Sequence, residues 1–321
     1  MNKSKKVIGI GSALFSGITW GIDTILIGVV LSKSIFTANN KIIFLAPFIS
    51  TFFHDFFSSL WMLIYNINKG NLKRVFMKTK TRSGKFIMLA AIMGGPIGMV
   101  CYSLSVKNMG ASYTAIITSL YPAAGALFSY IFLKEKLNLR TIIGISISIL
   151  GVIITGFNAS AVGNDIVNIK LGFIFSIGTV LGWSLESVIC AYGMKEDVLP
   201  EEALNIRQLT SSILILFVVI PCFGGIKEVV NVGFNNVILI IALTSLVGTM
   251  SYMFYYKAIT CIGAARSTAL NITYSFWAIV VQWIFFGVHL DIKLLIGSVV
   301  LICGTILVIS NPLELINLKR K

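Results

Sequence analysis

The sequence predicts an all-α polytopic membrane protein, with ten transmembrane helices built as two five-helix repeats of opposite orientation. Three observations lead there. Charged residues make up 12% of the chain and hydrophobic ones 56%, about half the charged share of a soluble domain. Apolar runs long enough to span a bilayer, about 20 residues each, recur from end to end. The second half also repeats the first at a constant offset of 153 residues. Ser58 falls on Ser211, Gly95 on Gly248, Tyr102 on Tyr255, Gly110-Ala111 on Gly263-Ala264, and Tyr121 on Tyr274. Leu137, Gly144 and Gly151 fall on Leu290, Gly297 and Gly304. Five is an odd number, so successive repeats must enter the membrane in opposite directions. Repeats of that kind hold a substrate near the bilayer midplane, at their interface.

The predicted spans are 7–31, 42–66, 85–105, 111–133, 140–157, 170–192, 203–222, 236–257, 264–287 and 292–310. Residues 1–157 form the first repeat and 170–310 the second, in one integral membrane domain whose loops are too short for a soluble one. The basic start, Met1–Lys6, resembles the head of a signal peptide. The apolar run after it is too long, carries Asp23 and lacks a small-x-small cleavage site, so it reads as a retained first helix. An acid at that depth costs about 2.5–3.5 kcal/mol on insertion scales. Trp20 and Asp23 are three apart and share a helix face. The sixth span repeats the pattern as Trp183 and Glu186.

The second span carries His54-Asp55, and at the 153 offset the seventh carries Arg207-Gln208. These four are candidates for coupling or gating. His54 reads either as a proton-linked group or as a polar partner of Asp55 or a backbone carbonyl. Arg207, near the predicted cytoplasmic start of its span, reads as a snorkelling side chain. Trp61 and Tyr65 read as interfacial belt residues. In the third span Gly94-Gly95-Pro96-Ile97-Gly98 predicts a bend, because Pro96 removes a backbone donor. Small residues there also allow close helix approach. Lys134-Glu135-Lys136 reads as a solvated helix end. The five cysteines form no Cys-x-x-Cys pair, which leaves no disulfide framework or metal site to expect.

Orientation follows from the basic residues. With both termini inside, nineteen Lys and Arg lie in cytoplasmic segments and six outside, as the positive-inside rule requires. Seven of the nineteen fall between Lys69 and Lys85. The net charge of +14 therefore belongs to the membrane rather than to a nucleic acid, since there is no soluble basic domain.

Aromatic residues gather at matching depths in the two repeats: Trp20, Tyr102 and Tyr121 in the first, Trp183, Tyr252, Tyr255, Tyr274 and Trp277 in the second. Asp23, Asp55 and Glu186 are the three carboxylates well inside apolar runs. Rings with a nearby acid suit a quaternary ammonium ion, which donates no N–H bond and is held by ring faces, about 0.5–2 kcal/mol each. The predicted substrate-binding set is Trp20, Asp23, Tyr102, Trp183, Glu186, Tyr252, Tyr255, Tyr274 and Trp277. The bland readings are that the tyrosines pack between helices and the acids are structural hydrogen-bond partners.

The runs Ser119-Leu120-Tyr121-Pro122, Phe132–Leu137, Ile143-Gly144 and Leu150-Gly151-Val152 resemble the EamA repeat of the drug/metabolite transporter superfamily. The stretch from Gly287 to Gly304 is a degenerate copy, with Val288 where the first copy has Glu135. The resemblance implies ten helices, alternating access, a small-molecule substrate, no cofactor and the bacterial plasma membrane. Thr19–Leu26, with Ala46-Pro47 and Phe53–Phe56, is similar to the Lic-type bacterial choline transporters, which implies choline uptake. The alternatives are an exporter of amino acids or other metabolites and, in another class, a membrane-bound enzyme or lipid flippase. An exporter of amino acids needs Arg207 or a helix N-terminus facing inward, whereas a choline site needs stacked rings and no such cation. An enzyme has no recognisable site here.

Overall fold

A computed structural model describes residues 3–133, 139–155, 168–193, 198–233, 235–262, 267, 270–287 and 291–309. The expectations placed on Lys134-Glu135-Lys136, Leu137, Gly263-Ala264, Leu290 and the basic tail lie outside the described residues. What is described is helical, without strands. The first half comprises α1 (Lys3–Leu31), α2 (Asn40–Asn68), α3 (Leu72–Thr79), α4 (Arg82–Ile92), a π-helical turn (Met93–Met99), α5 (Val100–Met109), α6 (Ala111–Thr118), α7 (Tyr121–Leu133) and α8 (Leu139–Thr155). The second comprises α9 (Ile169–Gly193), α10 (Pro200–Leu214), a π-helical turn (Ile215–Val219), α11 (Ile220–Cys222), α12 (Ile226–Val232), α13 (Asn236–Ile262), α14 (Tyr274–Phe286) and α15 (Ile292–Ile309). Among the described residues six helical spans are long and apolar enough to cross a membrane, and α8, α14 and α15 are shorter apolar helices. The chain is a multi-pass membrane protein.

Local sequence sets the boundaries. The Asn39 side chain accepts from the Ile42 amide at 2.9 Å and starts α2. Thr81 does the same for α4 through Gly84, at 3.1 Å. Gly110, at φ 87°, turns the chain from α5 straight into α6 with a backbone that a side chain would strain. The predicted bend at Pro96 takes the form of the π-helical turn, which carries α4 into α5 as one span, Arg82–Met109. The fourth span is broken: α6 stops at Thr118, and α7 restarts at Tyr121-Pro122, where proline needs no amide partner.

Element bounds follow the 153-residue offset. Tyr121, the start of α7, maps onto Tyr274, the start of α14, and the described residues of α8 map onto α15. The surface helices α3 and α12 correspond as well, and Pro47 in α2 corresponds to Pro200 at the start of α10. Packing follows the same exchange. Helix α1 lies against α13 and α14 of the other half, and α9 lies against α4, α5 and α7. Helices α2 and α10 meet each other, as do α8 and α15. The last pair touches backbone to backbone: a Cβ added at Gly151 would stand 2.8 Å from the Gly297 carbonyl, and one at Gly304 2.8 Å from that of Gly144. These glycines are the ones the repeat pattern singles out.

Candidate substrate site

The two tryptophans of the Trp-x-x-acid pairs meet at the centre of the bundle. Trp20 on α1 and Trp183 on α9 have ring centroids 5.7 Å apart, edge to face. Trp20 also stands 5.2 Å from Tyr252, 6.3 Å from Tyr102 and 6.5 Å from Tyr274. Trp183 adds Tyr102 at 5.0 Å and Tyr121 at 6.0 Å. Both tryptophans are buried. Hydroxyl bonds hold the tyrosines: Tyr102 meets Thr24 Oγ1 at 2.5 Å, and Tyr274 reaches across to Thr118 Oγ1 of the first half at 2.9 Å. The rings fill the space between the halves with one another.

Against this aromatic cluster runs a chain of buried ions. Asp23 Oδ1 stands 3.1 Å from His54 Nε2, and His54 Nδ1 3.4 Å from Asp55 Oδ1. Asp55 Oδ2 accepts from the Ser211 hydroxyl and lies 3.8 Å from Arg207 Nη1. Arg207 donates through Nε to Glu186 Oε1 at 2.7 Å, through Nη2 to Glu186 Oε2 at 3.5 Å, and through Nη1 to Gln208 at 2.6 Å. Its guanidinium sits 5.4 Å from the centre of the Tyr252 ring, which joins the ions to the aromatic cluster. Each half thus pairs its own acid with its own base at corresponding positions, Asp23 with His54 and Glu186 with Arg207.

Three carboxylates face one guanidinium and one imidazole. When the carboxylates are ionised the group is net negative whichever state the imidazole takes. Asp23 Oδ2 is buried without a hydrogen-bond partner among the described residues, a situation that costs about 1–3 kcal/mol. A cation beside Asp23 would relieve it. Room for the ions comes from glycines on the facing helices. A Cβ at Gly248 would stand 2.9 Å from Asp23 Oδ1 and 3.0 Å from His54 Nε2. One at Gly95, its counterpart in the repeat, would run into Ser211 Oγ and lie 3.4 Å from Asp55 Oδ2, and one at Gly94 would run into the Glu186 carboxylate. The glycine-rich turn is therefore the wall against which the second acid rests, and a π-helical turn is a frequent companion of such sites.

Of the residues singled out from sequence, Trp20, Asp23, Tyr102, Trp183, Glu186, Tyr252 and Tyr274 converge, together with His54, Asp55, Arg207 and Gln208. Tyr255 lies beside Tyr256, ring centroids 5.9 Å apart and tilted, and near Tyr121. Trp277 does not join the cluster: its ring meets Phe276 at 5.5 Å, and its Cβ faces Gly21. The expectation that Arg207 snorkels is corrected, since Arg207 is 3% exposed. Glu186 and Asp55 draw it inward, at less cost than leaving those carboxylates unpaired. His54 is a polar partner of Asp55, one of the readings its sequence position allows, and its other ring nitrogen reaches Asp23. Trp61 donates to Ala242 O and Ser245 Oγ, so it ties α2 to α13 rather than only marking the interface. Sequence reasoning passed over Ser211, Thr24 and Thr118. The match of Ser58 with Ser211 was the available signal for the first.

A bundle of membrane-spanning helices with a polar, aromatic-walled centre shared by two similar halves defines a membrane transporter. A sequence model described as the EamA-like transporter family matches residues 7–157 and 170–310, and the chain belongs to that family, one of transporters rather than enzymes. The chain is 35% identical to Protein LicB of Haemophilus influenzae over 192 residues, 60% of this chain and 63% of that relative's length. It is 24% identical to an uncharacterized transporter of Clostridium kluyveri, covering 73% of this chain and 75% of the relative. It is 22% identical to the uncharacterized transporter YdfC of Bacillus subtilis, over 68% and 69%. One crystal structure, 14% identical, superposes with a TM-score of 0.61 over 96% of this chain and 98% of the other, which bears on the fold alone.

Proposed function

We propose that this protein is a transporter of a small organic cation, choline or a closely similar quaternary amine. It works by alternating access between two inverted five-helix repeats, residues 1–157 and 170–310, with both termini cytoplasmic. The matching element bounds and the exchanged packing of α1 and α9 support the inverted repeat, and the distribution of basic residues supports the orientation. The substrate reading rests on one observation: rings from both halves, Trp20 and Trp183 foremost, pack against an ion network with excess negative charge. A quaternary ammonium ion is held by ring faces and balanced by a carboxylate. The rings touch one another, so this is a closed form, and binding has to part the two halves.

Arg207 favours a second reading, since an inward cation is what an exporter of amino acids needs. Its N–H groups, however, are turned to Glu186, Gln208 and Asp55, and it reaches a substrate carboxylate only by leaving Glu186. A thermal-shift screen in detergent separates the two, because a ligand of the folded state raises apparent stability. Choline is expected to raise the transition, and betaine, carnitine and amino acids less so. Stabilisation by an amino acid and none by choline would replace the first reading with the second.

A further inference from the structure

The segment from Lys69 to Lys85 carries Lys69, Lys73, Arg74, Lys78, Lys80, Arg82 and Lys85 and no acid. The aromatic and ionic centre uses none of these. Helix α3 crosses the middle of this segment and is fixed to the bundle at two points. Val75 is buried in a small apolar cluster with Ile87, Val198, Ala203 and Ile206. Arg74 Nε stands 2.8 Å from Glu202 Oε1 in the first turn of α10, an ion pair without hydrogen-bond alignment. Away from that anchored side, Phe76 is 50% exposed and Met77 57%. Lys69, Lys73, Lys80, Arg82 and Lys85 are exposed around them. The chain enters α3 through Gly70, at φ 69°, with the Asn71 amide bonded to the Asn66 carbonyl at 2.8 Å. The surface is therefore held in place.

A short rigid helix that turns two large apolar side chains outward, rimmed by ammonium and guanidinium groups, has the form of an interfacial membrane contact. Its charge is complementary to an anionic lipid surface. We propose that α3 and its flanks bind the headgroups of anionic phospholipids in the bilayer that holds the protein, with Phe76 and Met77 seated among the acyl chains. The lipid acts on the transport machinery through Arg74. A phosphate competes with Glu202 for that guanidinium, and Glu202 sits on α10, the helix that carries Arg207. This inference rests on the cytoplasmic placement of the segment and not on the identity of the substrate.

The test uses the full chain and needs no substrate. Purified protein is titrated with phosphatidylglycerol, phosphatidylethanolamine or soluble glycerol phosphate, and retained lipid is read by native mass spectrometry alongside the thermal transition. Phosphatidylglycerol is expected to be retained and to raise the transition, and the other two to do neither. A variant with Lys69, Lys73, Lys80, Arg82 and Lys85 each changed to Gln leaves Arg74 and Val75 in place. It should melt like the wild type without lipid and lose the preference. Phe76→Ser with Met77→Ser keeps every charge and should weaken retention of phosphatidylglycerol. Equal retention of the two phospholipids by the wild type, an undiminished preference in the five-fold variant, or an equal effect of glycerol phosphate overturns the proposal.

Discussion

At the level of single residues, the acids of the two Trp-x-x-acid pairs differ in what they leave free. Glu186 spends both oxygens on Arg207, while Asp23 keeps Oδ2 open. On the proposed reading Asp23 is the counter-charge for a bound cation, and Glu186 the clamp on an internal one. Asp23→Asn should weaken choline binding by about 1–4 kcal/mol, the range for opposite charges about 4 Å apart between bulk water and a protein surface, with the thermal transition nearly kept. Glu186→Gln should instead lower stability by about 3–5 kcal/mol, because it leaves a buried guanidinium short of charge. The double variant Glu186→Gln with Arg207→Met should recover much of that loss. Melting curves and choline titrations on the three proteins check both statements, and equal behaviour of the two single variants contradicts the assignment. The spacing of Trp20 to Asp23 and Trp183 to Glu186 made the acids and rings legible in the sequence. Their partners were not, because a residue pattern on one helix gives a face but not what the facing helix presents. Arg207 turns inward rather than snorkelling for that reason, and Trp277 lies beside the cluster, because depth alone does not tell inward from sideways.

Among the elements, α3 and α12 are counterparts in the repeat, and each is tied to the first turn of the other half's second helix. Arg74 of α3 meets Glu202 of α10, and Glu228 of α12 meets Lys41 of α2 at 3.2 Å. With the proposed orientation, the two ties lie on opposite faces of the membrane. The hydrogen bond from Lys41 holds the Glu228 carboxyl below its ordinary range. That contribution is present above the pKa of an unfolded carboxylate and is lost as pH falls through the lowered one. Ion pairs at the surface contribute little to stability, so such a tie suits a contact that opens in each cycle. Joining positions 41 and 228 as a Cys pair should therefore stop uptake by proteoliposomes, and reduction should restore it. Full uptake with the bridge closed would show that α12 does not part from α2 during transport. The polytopic class and six long spans among the described residues were legible, because apolar length is a strong signal. The surface helices, the broken fourth span and the π-helical turns were not, since each depends on a few backbone bonds rather than on composition.

For the whole molecule, the offset of 153 residues carries most of the account. It relates not only identities but helix ends, the packing of α8 on α15, and the glycines Gly95 and Gly248 that make room for the ions. The sequence could reveal a repeat because the second half carries the pattern of the first. It could not reveal how closely the rings of the two halves meet, since that is a distance between segments far apart in the chain. The central claim is that both halves grip one small cation with their tryptophans. Calorimetric titration of choline into the wild type, Trp20→Ala and Trp183→Ala tests it most directly. Loss of one ring face should cost each variant about 1–2 kcal/mol, roughly 5- to 30-fold in affinity, with Trp20→Phe falling between Trp20→Ala and the wild type. Unchanged choline affinity in both alanine variants would contradict the claim.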